Sequence, residues 1–408
     1  MSDGLLSVAE ALARVLASAK AMPTEMVPLH LARGRTLTED LKAMRTQPPV
    51  AMSAMDGYAV RAADLAAGAP PLQLVGQSAA GLRYGATLQP GETVRIFTGA
   101  PVPDGADTIL IQEDAIADGD RIRATAVPLA GRNIRRAGLD FTFGEMLLPA
   151  GTRLGAAELA LAAAMDHPRV PVARKPLVAI IATGDELVQP GAHAGRDQIV
   201  ASNSFAIAAF VDAAGGTVLD LGIVVDQLEP LVAAIRAARD AKADILITLG
   251  GASVGDHDLV KPALAEEGME LGFWRIAMRP GKPLIHGHLG AMAILGLPGN
   301  PVSSIVCSAL FLVPLVRALS GDKTAHIDRS EPAILGVALK ANDKRQDYMR
   351  AALTLRDDGT PVAVPNIVQD SSMLRVLAQA QCLVIREPNA PAAEAGAPCR
   401  ILRFEQGW

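Results

Sequence analysis

Aromatic side chains make up only 3% of the 408 residues, with two Trp and three Tyr. Cores must therefore be packed by Ala, Val, Leu and Ile, which the 50% hydrophobic content supplies amply. Cysteine is nearly absent too. Cys307, Cys382 and Cys399 are an odd, unpaired set, which excludes a disulfide scaffold or thiolate zinc site and fits a reducing, cytoplasmic setting. Cys307 sits in an apolar helical pattern and reads as a small core residue. The formal charge of -5 gives no electrostatic ground for nucleic-acid binding, and the Arg132, Arg135, Arg136 cluster reads as a solvated turn. No basic, apolar leader opens the chain, so no signal peptide is expected. The longest stretch free of formal charge, 283–316, is cut by Gly and Pro into pieces too short to cross a bilayer, so no membrane span is expected. A Walker A loop and a dinucleotide G-x-G-x-x-G are both missing, which disfavours an ordinary ATPase or Rossmann dehydrogenase.

What is present is concentrated between Val178 and Pro301. Three apolar runs, Val178–Ala182, Ile245–Leu249 and Ala293–Leu295, each end in a glycine-marked polar loop. They alternate with helical patterns at Ser204–Ala214, Leu228–Arg239, Leu259–Glu267 and Val302–Leu319, the last opened by Asn300-Pro301 and expected to kink at Pro314. That alternation predicts parallel strands of a doubly wound α/β sheet whose carboxyl ends face a ligand. Backbone N–H groups beside Gly250 and Gly251, with the Ser253 hydroxyl, suit a phosphate. Carboxylates at Asp185, Glu186, Asp256 and Asp258 beside such an anion make sense if a hard cation such as Mg²⁺ bridges them. Arg275, Arg279 and Lys282, on a loop stiffened by Pro280 and Pro283, offer positive charge to an oxyanion.

Around this unit, Ser7 and Glu10 predict a capped helix over Ser7–Lys20, and a second short helix is expected over Leu37–Ala43. Between Pro48 and Gly144, runs at Leu72–Val75, Thr93–Phe97, Thr108–Ile111 and Arg121–Ala126 separated by turns predict a small β domain. Helical spacing returns at Ala156–Met165, a Pro-spaced linker is expected from Pro168 to Pro176, and His286-Gly-His288 reads as a turn. Beyond Gly321 the chain is strand-like and turn-rich.

Seven motifs in order, Ser53–Ala59, Phe97–Pro103, Asn133–Arg136, Thr183–Leu187, Gly250–Gly255, Arg279–Pro283 and Pro298–Ser303, resemble the molybdopterin molybdenumtransferase family, the MoeA-type proteins related to the gephyrin E domain. The resemblance spans essentially the whole chain. It implies a multidomain α/β plus β fold: an elongated mixed domain (1–47 and 145–171), an inserted β domain (48–144), a MogA-like doubly wound α/β domain that binds molybdopterin (172–324) and a C-terminal β barrel (325–408). It implies insertion of molybdate into adenylated molybdopterin with release of AMP, aided by Mg²⁺. The implied assembly is a homodimer with its active site between protomers, and it allows a transient contact with the molybdopterin adenylyltransferase. Carried over by motif, Glu186, Asp226 and Asp258 are the metal and phosphate-proximal acids. Arg279, Lys282, Ser303, Arg350 and Ser371 form the oxyanion pocket. Asp56, Thr98 and Asp140 reach in from the other chain. Thr183, Gly184, Asp185, Gly250, Gly251, Ser253, Gly255, Pro298 and Gly299 hold the adenylated pterin. The chain departs from the family pattern in carrying arginine at 275 and 279 where lysine is frequent, Leu139 before Asp140, and the shorter Asp256 for a glutamate. Two other classes fit parts of the pattern: a molybdopterin adenylyltransferase, which normally lacks the flanking β regions, and a gephyrin-like dimeric scaffold, which usually carries a further α/β domain and a long linker. A tungstate-specific relative is also compatible.

Overall fold

A computed structural model describes residues 5–251 and 259–404. The helix Val8–Ala17 opens on the predicted capping box: the Ser7 hydroxyl accepts the Glu10 N–H at 3.2 Å, and the Glu10 carboxylate accepts the Ser7 N–H at 3.0 Å. Its buried face, Val8, Ala11 and Val15, packs into the core of the α/β unit. The expected second helix over Leu37–Ala43 is absent. Thr36 and Leu37 instead bridge Arg153 and Val172, and Leu41–Lys42 is a strand paired with Met146–Leu148. Distant backbone partners thus outcompete a weak local helical pattern. The Pro-spaced segment is likewise no linker: Arg169–Ala173 forms a strand antiparallel to Thr24–Pro28. Pro171, which has no N–H to give, contributes its carbonyl to the Thr38 N–H. The helix Ala156–Ala164 packs above these pairs.

The inserted β unit is a six-stranded sheet in the order Thr108–Ile111, Gly57–Val60, Glu92–Ile96, Leu72–Ser78, Arg121–Ala124, Ala115–Asp118. It has its own small core around Val94, Ile96 and Ile109.

The central sheet runs Thr217–Val224, Leu177–Thr183, Ile245–Leu249, Met292–Leu297, Pro283–Leu289, Glu270–Arg275. Its first four strands are parallel, three of them the runs the sequence predicts with Thr217–Val224 added at the edge, and the last two form an antiparallel extension. Successive residues of each strand enter cores on opposite faces: Val178, Ile180 and Ala182 on one side, Ala179 and Ile181 on the other. Burial on both faces explains why these runs are continuously apolar. Helices Asn203–Ala214 and Pro301–Leu319 cover the first face, and Leu228–Asp240 and Val260–Glu266 the second. His286-Gly-His288 is not a turn but the middle of the Pro283–Leu289 strand. Gly287 is there for proximity, since a Cβ would lie 2.5 Å from the Glu270 carbonyl oxygen of the next strand.

Pro301–Leu319 is one helix of 19 residues, long and apolar enough by composition to cross a membrane, yet most of it is buried inside the protein. It is a core helix. Ahead of Pro314 it widens into a π turn over Ser308–Leu312, which accommodates a residue that cannot donate to the preceding turn.

After it, strands Gln346–Leu355, Pro361–Pro365, Glu331–Leu335, Pro398–Arg403 and Cys382–Arg386 pair in that order, and the last returns to the first. The result is a closed five-stranded barrel. Met278–Arg279 pairs in parallel with Gln346–Asp347 and stitches the barrel to the α/β unit. The architecture is therefore multidomain α/β plus β, with an inserted sheet and a C-terminal barrel. All three cysteines are free, and Cys307 lies in the core.

Candidate active site

Parallel strands align their carboxyl ends, so the residues that follow Thr183, Val224, Leu249 and Leu297 meet at one edge of the central sheet. Thr183 is buried there, its hydroxyl 3.5 Å from the Asp226 carboxylate. The Asp226 N–H donates to the Asp185 carboxylate at 3.1 Å. Glu186 folds its carboxylate back over Gly184, 2.5 Å from where a Cβ would stand. Gly250 donates its N–H to the Leu297 carbonyl and has φ of 96°, and any side chain on it would meet the Thr183 carbonyl oxygen at 2.6 Å. Gly299 closes on the Gly250 Cα from the next loop. Thr183, Gly184, Asp185, Glu186, Asp226, Gly250, Gly251, Pro298 and Gly299 thus share one edge.

The N-terminus of the long helix adds donors. Pro301 occupies the first turn, where its missing N–H costs nothing. Ser303 is buried, 5% exposed, and no hydrogen bond of its hydroxyl is found among the described residues. Ser304 instead donates to the Pro298 carbonyl and helps hold the preceding loop. Asn203, which the sequence reading missed, donates to the Gly299 carbonyl at 2.7 Å and ties the starts of two helices together. Its only sequence signal is the Ser202-Asn203 pair at a helix start.

The barrel reaches this edge at Ser371, whose carbonyl accepts the Val302 N–H at 3.0 Å. Arg350 lies behind it, fully buried, with Nη2 donating to the Asp370 carbonyl at 3.1 Å and Nε unpartnered. Burial pushes the Arg350 guanidinium below its usual basicity, against the pull of Asp347 and Asp370. Arg279 is exposed and engaged: it pairs with Asp347 and, at 3.5 Å, with Asp343, and the Asp347 hydrogen bond raises its basicity. Lys282 is exposed beside it. Arg275 stacks its guanidinium 4.1 Å from the Trp274 ring centre, so the positive charge of this region is partly committed already.

Ser253, Gly255 and Asp258 lie outside the described residues. Among the described residues no group of three His, Cys, Asp or Glu is assembled to hold a metal. Glu186 and Asp226 nonetheless present oxygen donors at the same strand ends, the chemistry that Mg²⁺ accepts.

Asp56 and Thr98 come together with one another, and no described hydrogen bond links them or Asp140 to this edge. The Asp56 carboxylate accepts the Thr98 N–H and hydroxyl. Asp140 donates its N–H to the Gln47 carbonyl, on the segment that leads into Met52–Ser53. The Asp56 and Thr98 hydrogen bonds stay inside the inserted unit. A cavity of about 980 Å³ is elsewhere: it opens between the first helix, the long core helix and the barrel, and none of the residues at the strand ends line it.

Comparison with known proteins fits the same division of the chain. Residues 6–165 match the MoeA N-terminal region (domain I and II), 179–318 a probable molybdopterin binding domain, and 332–404 the MoeA C-terminal region (domain IV). A molybdopterin molybdenumtransferase of Nostoc sp. is 39% identical over 82% of this chain and 78% of its own. That of Haemophilus influenzae is 33% identical over 93% and 94%. The crystal structure of a molybdopterin biosynthesis MoeA protein from Pyrococcus horikoshii superposes with a TM-score of 0.82 at 25% identity, covering 98% of this chain and 100% of that one. With relatives this similar along nearly its full length, the chain belongs to the molybdopterin molybdenumtransferase (MoeA) family.

Proposed function

We propose that this protein inserts molybdenum during molybdenum cofactor biosynthesis: it takes adenylated molybdopterin and molybdate, releases AMP and leaves the metal on the pterin dithiolate. The observation that carries the reading is the convergence at one sheet edge of close-approach glycines, the carboxylates of Asp185, Glu186 and Asp226, and buried Ser303 at a helix N-terminus. Cleavage of the phosphoanhydride puts negative charge on the departing phosphate. The backbone N–H groups of Gly251 and, in the first helical turn, of Ser303 would be the donors for such charge, since those of Gly250 and Val302 are taken by the Leu297 and Ser371 carbonyls. Glu186 and Asp226 would hold Mg²⁺, with Asp258 beyond the described residues as a third candidate; bound there, the ion neutralises phosphate oxygens. Molybdate, a tetrahedral dianion, needs cations and hydroxyls, which Lys282, Arg350, Ser303 and Ser371 supply, with Arg279 at the border of the pocket.

Because the Asp56 and Thr98 hydrogen bonds stay inside the inserted unit and Asp140 bonds back to Gln47, none of them to the strand ends, the reading includes a homodimer in which a second copy brings them there. Largely distinct apolar clusters support division into units at 1–47 with 145–171, 48–144, 172–324 and 325–408, although the first helix and Tyr348, Leu377 and Leu383 of the barrel share the α/β core and Phe141 joins that of the first unit. A cytoplasmic location and a passing contact with the adenylyltransferase complete the proposal. The test is AMP release from adenylated molybdopterin with Mg²⁺ and molybdate, in wild type and Glu186→Ala. Turnover that the substitution abolishes supports the reading. Equal turnover removes Glu186 from it, and no turnover by wild type overturns it.

A further inference from the structure

Arg350 is the largest fully buried side chain described, yet its guanidinium has few partners. What fixes it is its own backbone, and that backbone is held in an unusual way. The strand Pro361–Pro365 pairs with Leu355 back to Ala351 and stops one residue short of Arg350. The Asn366 N–H still reaches the Arg350 carbonyl at 2.9 Å, and the side chain of Gln369 adds to it. Its Oε1 accepts the Arg350 N–H at 3.0 Å, and its Nε2 donates to the Arg350 carbonyl at 2.9 Å and the Asn366 carbonyl at 2.8 Å. The carboxamide thus satisfies the Arg350 N–H that the strand leaves without a partner there and adds a second donor to the carbonyl that the Asn366 N–H already bonds. Two residues on, the Ser371 carbonyl receives the Val302 N–H of the long helix, next to Ser303. Asp370 closes the turn between them by accepting the Ser372 N–H at 2.8 Å and hydroxyl at 2.7 Å.

We infer that Gln369 is a positioning residue for oxyanion binding: its carboxamide sets the distance between Arg350 on the barrel and Ser303 on the α/β unit by holding the loop that joins them. The inference rests on the reading of Arg350, Ser303 and Ser371 as the molybdate pocket. No other side chain of this size supplies the same bonds. Glutamate would keep the acceptor but turn a carboxylate toward two carbonyl oxygens. Asparagine is a methylene too short to reach both, and leucine fills the volume without any. Anion affinity should be sensitive to a loosened loop, because hydrogen-bond geometry at a dianion tolerates little displacement.

The test compares wild type, Gln369→Leu, Gln369→Asn and Arg350→Met as full-length protein, measuring AMP release against molybdate and against adenylated molybdopterin, with equilibrium dialysis of molybdate alone. Gln369→Leu should raise the molybdate concentration for half-maximal rate about 10-fold, by analogy with lost ligand-orienting partners. Its kcat and its requirement for the adenylated pterin should stay near wild type. If the leucine variant does not fold, Gln369→Asn serves, with the same direction and a smaller effect. A lower kcat with unchanged molybdate requirement would mean only less folded protein and would overturn the inference. So would an effect of Arg350→Met without one of Gln369→Leu. If Arg350→Met itself left the requirement unchanged, the pocket reading would fall, and the inference with it.

Discussion

Asp56 and Thr98, 42 residues apart, are joined through a single carboxylate oxygen, which accepts the Thr98 N–H at 2.7 Å and the Thr98 hydroxyl at 2.8 Å. These bonds favour the ionised form and hold the Asp56 carboxyl below its ordinary value of 3.8, the backbone N–H being the larger cause and the hydroxyl the next. A depressed folded-state pKa contributes stability that is complete above the ordinary value and lost as pH falls through the folded one. Thr98→Val removes the hydroxyl bond and keeps the N–H. The Asp56 carboxyl should then titrate at higher pH than in wild type but still below 3.8, as read by carboxyl carbon shifts. Titration at the same pH in both proteins would dissociate the hydroxyl from the shift.

Much of this arrangement is legible in the sequence because it is local. The Ser7–Glu10 box, the three apolar strands and the Pro301 helix start each depend on a few adjacent residues, and each is in place. The errors occur where distant partners decide. Nothing near Leu37 announces that Val172 will bridge it, and nothing near Gly287 announces the neighbouring Glu270 carbonyl. The site shows the same limit. Positive charge at Arg279 is visible in the sequence, but its capture by Asp347, 68 residues on, is not. Asn203 and Gln369 carry no chemistry in themselves and become meaningful only through the loops they hold.

Ser303 lies buried at a helix N-terminus and its hydroxyl makes no hydrogen bond among the described residues, so an anion could take it at no cost in broken bonds. Ser303→Ala should leave thermal stability within about 0.5 kcal/mol of wild type, as for a substitution that removes no bond. It should raise the molybdate requirement by roughly 10-fold, the loss expected for one hydrogen bond to a charged group. Melting curves together with AMP release at graded molybdate would check both. A clear loss of stability would mean that the hydroxyl has a structural partner.

Arg350 combines full burial with an unpartnered Nε, and burial weakens its charged form. Replacing a buried, poorly compensated charge with an apolar side chain of similar length is commonly neutral or stabilising, by about 1–4 kcal/mol. Arg350→Met should therefore melt at or above the wild-type temperature while losing oxyanion affinity. Such a trade of stability for binding is what a retained functional charge produces. A marked drop in melting temperature would instead show that the guanidinium holds the barrel together.

Arg279 connects the Arg279–Pro283 loop to the barrel through Asp347, Asp343 and Asn342, a set suited to a planar fork. Arg279→Lys keeps the charge but can satisfy fewer of these acceptors. Since the side chain is nearly half exposed, the loss should be modest, about 0.5–1 kcal/mol. The lysine would also be freer to turn toward an anion. Molybdate affinity should then hold or improve while urea resistance falls slightly. Loss of affinity with unchanged stability would assign Arg279 directly to the oxyanion.

Gly281 has φ of 106°, and a Cβ there would sit 2.5 Å from Cys307 Sγ in the long core helix. Two costs are therefore separable. Gly281→Ala pays backbone strain of about 1–3 kcal/mol and an overlap worth a similar amount. Cys307→Ala alone leaves a small void, about 1 kcal/mol from the lost sulfur contacts. In the double variant the alanine methyl enters the space vacated by sulfur, so only the strain should remain. Urea unfolding of the three variants should give a coupling of about 1–2 kcal/mol in favour of the pair, beyond the size expected of independent sites. Additive losses would mean that the loop moves away from the helix rather than pressing on it. In that case Lys282, the next residue, would be carried with it, and its molybdate requirement should change in step with the stability.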